Sequence, residues 1–137
     1  MGNYLIDTNI VSALLKDNQD VAAKLKEAVI RGEEVVLNGV TYYEVKRGLL
    51  ASGASHKLSK FLYFCREFGV VWLDSQDVFD EASEIYADLK RTGSLIEDAD
   101  ILIAAVARVG NFILVTDDQH FQKVAGIETR NWLSCQG

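Results

Sequence analysis

The sequence predicts an α/β fold, a three-layer sandwich in which a roughly five-stranded parallel sheet is flanked by helices. Two observations carry this. The apolar runs Tyr4–Ile6, Val35–Leu37, Val70–Leu73 and Phe112–Val115 are short and do not alternate with polar residues, as strands covered on both faces do. Helical patterns separate them, and parallel neighbours need such crossovers. At 137 residues and 49% hydrophobic, the chain has the size and balance of one domain with a substantial core, spanning residues 1–137.

Taken in order, the strand at Tyr4–Ile6 ends at Asp7-Thr8-Asn9, residues suited to a turn and a helix cap. Ile10, Val11, Ala13, Leu14 and Leu15 give a short helix. A more solvated one runs from about Asp20 to Arg31, with Val21, Ala22, Leu25, Ala28 and Val29 inward, and Gly32 stops it. After the second strand, Asn38-Gly39 turns the chain into a helix through Thr41 and Glu44, whose spacing matches a capping box. Lys57 to Phe68 forms a further helix, and Gly69 releases the third strand. Ser75 to Arg91 reads as a long amphipathic helix with Val78, Phe79, Ala82, Ile85, Tyr86 and Leu89 inward.

Next comes Ser94–Ala107, SLIEDADILIAAVA. It sets Asp98 and Asp100 immediately before an apolar run without a polar face until Arg108, so a buried helix delivers acids from its first turn. The fourth strand stops at Thr116-Asp117-Asp118, and a short fifth is expected at Ile127 to Thr129. The chain contains no proline.

Composition excludes several classes. No apolar run approaches the ~18 residues of a membrane span, and MGNYLIDTN lacks the layout of a signal peptide, so a cytoplasmic protein is expected. Cys65 and Cys135 have no CxxC spacing and read as plain thiols; His56 and His120 are too few for a zinc site, with His120 read as a loop residue. The net charge of −6 argues against a general basic field for nucleic acid. It leaves room for an acidic centre that binds a cation.

Open α/β sheets place their sites at the carboxyl ends of strands. Asp7 and the Asp117-Asp118 pair follow strands, while Glu44 and the Asp98/Asp100 pair are expected in first helical turns, so all can face one crevice. Each acid alone also reads as a cap or a solvated charge. Together they do not: two carboxylates about 5 Å apart repel by roughly 3 kcal/mol at an effective dielectric near 20, so a cluster needs raised pKa values or a cation. Mg²⁺ or Mn²⁺ suits such oxygen donors, and metal-activated water suits hydrolysis of a phosphodiester.

These acids and their flanks resemble the PIN-domain ribonucleases, in particular the VapC-like toxins of prokaryotic toxin–antitoxin pairs. YLIDTNIVSALL looks like the family's first strand with its D-T-N signature, and VTYYEVKRGLL like the helix carrying its glutamate. EDADILIAAVA resembles the D-x-D-x-x-I-A-A block, FILVTDDQHF the strand and turn that supply the last acid, and GIETRNW the end of the domain. The resemblance implies an Mg²⁺ cluster of Asp7, Glu44, Asp100 and Asp118, with Asp98 as cap or outer ligand and Asp117 as the alternate to Asp118. Thr8, Asn9 and Thr116 would orient the carboxylates. Ser94-Leu95-Ile96-Glu97 stands where the family often has Pro-Ile-Gly before the D-x-D, which adds a charge and removes no expected ligand.

The function implied is a metal-dependent endoribonuclease, the toxin of a type II pair, with RNA as substrate, a cognate antitoxin over the crevice, and a homodimeric state. Tyr42, Tyr43, Phe61, Tyr63 and Phe64 are either a dimer face or core. Lys46, Arg47, Lys57, Lys60, Arg66, Lys90 and Arg91 are candidate phosphate contacts that also read as plain surface charges. Two other readings compete. Phosphoryl transfer on Asp7, as in phosphatases or receiver domains, would call for an acid where Asn9 stands, or for an acid pair beside Asp7 together with a late-strand lysine. A non-catalytic binding module would leave the acids as caps.

Overall fold

The structure is a computed structural model, and it describes residues 2–133; the expectation for Cys135 lies outside them. Twelve segments follow one another: β1 (Asn3–Ile6), α1 (Thr8–Leu15), α2 (Gln19–Ile30), β2 (Glu34–Asn38), α3 (Gly39–Ser52), α4 (Ser55–Phe68), β3 (Val70–Val71), α5 (Gln76–Arg91), α6 (Asp98–Gly110), β4 (Ile113–Val115), a 3₁₀ turn (Gln119–Lys123) and β5 (Glu128–Arg130). The strands form one parallel sheet in the order β3-β2-β1-β4-β5, so the expected α/β sandwich is the observed one.

Successive strand residues point to opposite faces, and each face has its own cover. Leu5, Val36 and Leu114 pack under α5 and α6, against Val78, Ile85, Ile103 and Ala104. Ile6, Val35, Leu37 and Val115 pack against α1, α2 and α4, with Ile10, Val21, Phe61 and Phe64. Both faces of the strands are therefore apolar, which is why these segments show no alternation. α6 is buried nearly all round: Ile103, Ala104 and Ala105 are inaccessible to solvent.

Local chemistry fixes the helix starts. Asn18 accepts from the backbone N–H of Asp20 and Val21 at α2, Ser75 from that of Asp77 at α5, and Asn38 from that of Thr41 at α3. The last corrects the capping box. Because Asn38 is the cap, Thr41 lies at the third helical position and Glu44 in the second turn rather than the first. Gly39 opens α3 where a Cβ would come within 3.2 Å of both the Leu73 and Trp72 side chains.

Other expectations shift by a residue or a face. β3 ends at Val71, and β5 begins one residue late and runs to Arg130. Val29 and Ala22 on α2, and Phe79 and Tyr86 on α5, are exposed instead of inward. In each helix the buried stripe is one position narrower than the apolar pattern. Phe61 and Phe64 are core, whereas Tyr43 and Tyr63 are exposed.

Candidate active site

Parallel register sets Ile6 beside Val115, so Asp7 and Thr116 leave the sheet side by side at its carboxyl edge, joined by the Asp7 N–H to the Val115 carbonyl at 2.9 Å. Asp7 is only 4% exposed. A buried carboxylate needs donors, and this one has three. Thr116 Oγ1 donates to Oδ2 at 2.7 Å, Asn9 Nδ2 to the same oxygen at 2.9 Å, and the Thr8 N–H to Oδ1 at 2.8 Å. Burial pushes the Asp7 pKa above the ordinary carboxylate value, these bonds oppose the rise, and the Glu44 charge adds to it.

The same side chains tie down the turn after β4. Thr116 Oγ1 also accepts from the Asp118 N–H at 3.0 Å, and Asn9 Oδ1 accepts from the Asp117 N–H at 3.1 Å. On the other flank, Thr8 Oγ1 donates to Glu44 Oε1 at 2.7 Å and lies 3.3 Å from Thr41 Oγ1, which in turn accepts from Asn38 Nδ2 at 3.1 Å. Thus Thr8, Asn9 and Thr116 each touch an acid or the backbone that carries one.

The paired acids separate. Asp100 is half-buried and its pKa is pushed up to about 6, first by burial and then by the charges of Asp7, Asp118 and Glu44. Asp98 is exposed, and the cap position expected for it belongs to Glu97, which makes no capping hydrogen bond. Asp117 is exposed, whereas Asp118 is half-buried and caps the 3₁₀ turn by accepting from the His120 N–H at 2.9 Å.

Among the described residues, Asp100, Asp118 and His120 form the group whose donor atoms all lie within 4.8 Å of one another. Asp7 and Glu44 stand outside that trio, close enough for their charges to raise Asp100. His120 was read from the sequence as a loop residue. It is exposed, as such a residue should be, but the 3₁₀ turn folds it back so that Nδ1 comes 3.2 Å from Asp118 Oδ1. Its spacing two residues past Asp118 was the available signal. The sequence reading also missed Asn38, whose full burial beneath Thr41 supports the Glu44 side of the site.

Oxygen donors dominate this set, and burial together with the neighbouring charges pushes the pKa of one carboxyl, Asp100, up to about 6. A hard divalent cation with an incomplete protein shell fits both facts. A groove of about 180 Å³ runs beside Glu44, between Thr8, Ser12 and Leu15 of α1 and Lys57 of α4. Of the basic candidates, Lys57 alone lines it. Lys60 is paired with Asp17 at 2.6 Å, Arg91 with Asp88, and Arg47 stacks over Tyr43 with its guanidinium carbon 4.8 Å from the ring centre.

The sequence profile of the PIN domain matches residues 4–127. The chain belongs to the PIN-domain family. Its PIN-domain relatives include a VapC ribonuclease, Y4jK, of Sinorhizobium fredii, 32% identical over 135 residues, covering 93% of this chain and 95% of that protein. A ribonuclease VapC1 of Methanocaldococcus jannaschii is 31% identical over 122 residues, covering 88% of this chain and 79% of that one. Among solved structures, VapBC2 from Rickettsia felis, bound to a DNA fragment from its promoter, superposes with a TM-score of 0.87 at 21% identity over 94% of this chain and 98% of that one. That likeness bears on the PIN fold, and the relatives' names bear on the chemistry.

Proposed function

We propose that this PIN domain, spanning residues 1–137, is a divalent-metal-dependent endoribonuclease, the toxin of a type II toxin–antitoxin pair, which hydrolyses RNA phosphodiester bonds in the cytoplasm. The observation that carries the reading is the crevice in which Asp100 meets Asp118 and His120, with burial and the charges of Asp7, Asp118 and Glu44 pushing its pKa up to about 6. Relatives named as VapC ribonucleases at 31% and 32% identity support it.

Asp100 and Asp118 would hold Mg²⁺ or Mn²⁺, with Asp7 and Glu44 completing the negative field and His120 beside them. When bound, the cation supplies Lewis acidity at phosphorus and a water of lowered pKa. The chain's own contribution is placement. Thr116, Asn9 and the Thr8 backbone fix Asp7 in one orientation, and the Thr8 hydroxyl fixes Glu44, so carboxylate geometry is set before substrate arrives. Lys57 and Lys16, beside Glu44, offer positive charge where a phosphate approaches. Asn9 stands two residues after Asp7 and donates to it at 2.9 Å, an arrangement that favours orientation of a carboxylate over its phosphorylation.

The RNA would be bound single-stranded, with phosphate contacts setting its position. The groove between α1 and α4 suits a segment of the cognate antitoxin, which would close the crevice. A homodimer is supported by an apolar face of Val40, Tyr43, Trp72, Leu73 and Leu102.

The test is an RNA cleavage assay with mapped ends, with and without Mg²⁺, run on the wild type, Asp7→Asn and Asp100→Asn. Cleavage should require the cation and vanish in both variants while their thermal melts stay cooperative. Full cleavage by both variants would sink the reading. Mg²⁺ should also raise the wild-type melting temperature, since a ligand of the native state stabilises it.

A further inference from the structure

The acidic crevice opens toward β5. A cleft of about 300 Å³ extends from Thr116, Asp117 and Asp118 past Gln122 to Arg130 and Asn131, and so contains one of the site's own acids. A larger cleft of about 540 Å³ lies beyond it, between α2 and the chain after β5, with Tyr4 and Trp132 at its base and Lys24, Arg31 and Arg130 along its walls. Thr129, Arg130 and Asn131 line both. The two are one surface track with Arg130 at the junction.

This track answers a difficulty posed by composition. A chain of net charge −6 must still hold a polyanion, and here three cations line the larger cleft, one of which, Arg130, also lines the cleft that holds Asp118. Their partners do not immobilise them. Arg31 pairs with Glu27 at 2.7 Å, and Arg130 with Glu128, but all four side chains are well exposed, and such pairs are worth about 0–1 kcal/mol, so a phosphate can displace the carboxylate. Lys24 makes no ion pair among the described residues.

The aromatic residues point to the kind of contact. Trp132 is buried edge-on against Tyr4 with ring centres 5.3 Å apart, so its face offers no platform for a base. The Tyr4 hydroxyl donates to Glu33 at 3.4 Å. Apart from the carboxylates of Glu27 and Glu33, the polar lining of the cleft is mainly cationic and amide, which suits the sugar-phosphate backbone and not base identity.

Resting on the ribonuclease reading above, we propose that Lys24, Arg31 and Arg130 form an accessory RNA site that binds backbone phosphates flanking the scissile bond on the β5 side. They are positioning residues. They add affinity for long substrates irrespective of sequence and leave the chemical step alone.

The experiment uses the full chain, as wild type and as the Lys24→Gln/Arg31→Gln/Arg130→Gln triple variant. Lys26→Gln, exposed on α2 outside the cleft, serves as control. Binding of a labelled, mixed-sequence single-stranded RNA is followed by fluorescence anisotropy across salt concentrations, beside KM and kcat for a long RNA and one trimmed close to its mapped cleavage site. The triple variant should bind the labelled RNA about tenfold more weakly at low salt, and the slope of log affinity against log salt should fall by about 2, as expected for three phosphate contacts on a single strand. KM should rise for the long RNA only, with kcat unchanged. Lys24→Gln, at an exposed position, gives the same direction at smaller size and guards against misfolding of the triple variant. An unchanged affinity and salt slope in both would overturn the proposal, whatever the variants do to binding of a protein partner. A wild type that does not cleave RNA would instead refute the ribonuclease reading, while the anisotropy arm still reads the accessory site.

Discussion

At the scale of single residues, the site depends on one hydroxyl more than on any other uncharged group. Thr116 Oγ1 donates to Asp7 and accepts from the backbone N–H of Asp118, so it couples the acid after β1 to the acid after β4. Thr116→Val removes that atom without changing the shape of the buried side chain, and leaves a buried carboxylate and an N–H short of a partner. The expected cost is about 1–3 kcal/mol, read by urea denaturation, together with a fall in kcat that Thr116→Ser restores. Asp100 gives a prediction of opposite sign. Its pKa is raised from 3.8 to about 6, so in the metal-free chain the ionised form is disfavoured by folding. The penalty is fully present above pH ~6, shrinks as pH falls through the interval, and is gone below ~4. Asp100→Asn should therefore stabilise the metal-free chain at pH 7 by on the order of 1–2 kcal/mol, allowing for solvent screening, and by nothing at pH 4. Thermal melts at the two pH values check this, and equal gains at both would show that ionisation of Asp100 is not the cause.

At the scale of elements, α6 explains why the acids are held so firmly. Its middle is Ala104 and Ala105, both without solvent exposure, and small side chains let the helix lie close against the sheet and α5. Ala105→Leu inserts volume into a filled core and should destabilise by about 1–3 kcal/mol, with cleavage falling as Asp100 is displaced. Stability that fell while specific activity per folded molecule held would show that the helix start is independent of its packing. The elements were also the most legible part of the sequence. Unbroken apolar strands gave the parallel sheet, and D-T-N after one strand with D-x-D before an apolar helix gave the edge where the acids gather. The choice of Asp100 over Asp98 came from family likeness, and the structure supplies a physical difference between them in burial and in the charges that surround Asp100. What the chain order hid was local competition. Asn38 and Thr41 both suit a cap, and only the bond from the Thr41 N–H to the Asn38 side chain, with Asn38 in extended backbone, shows which one starts α3. His120 is an ordinary loop histidine until the turn that follows Asp118 brings it back to the carboxylates. Phe79 and Tyr86 fit an inward stripe, but the face that α5 buries is Val78, Ala82, Ile85 and Leu89, and the neighbouring positions face solvent.

At the scale of the whole molecule, the most conspicuous feature left without an internal role is an apolar face beside the site. Tyr43 and Trp72 are 60% and 52% exposed, and with Val40, Leu73, Ala99 and Leu102 they border a cleft of about 500 Å³. Scattered exposed apolar residues are normal, but a contiguous cluster of this kind marks a surface that is covered by another molecule. Trp72 is held in place by an edge contact with Tyr42, ring centres 5.1 Å apart, so the cluster is presented rigidly and does not collapse onto the fold. Val40 and Tyr43 belong to α3 and Ala99 and Leu102 to α6, the helices that carry Glu44 and Asp100, while Trp72 and Leu73 follow β3, so association there would pin both helices from outside. If a second copy of the chain covers this face, Trp72→Glu should convert a dimer into a monomer, because an unpaired charge in the centre of an apolar interface costs more than the contact returns. Light scattering after size exclusion reads the mass directly. The melt of the variant should lose the dependence on protein concentration that a dimer shows, and cleavage should fall with it. A Trp72→Glu chain that keeps the dimer mass would move the interface elsewhere.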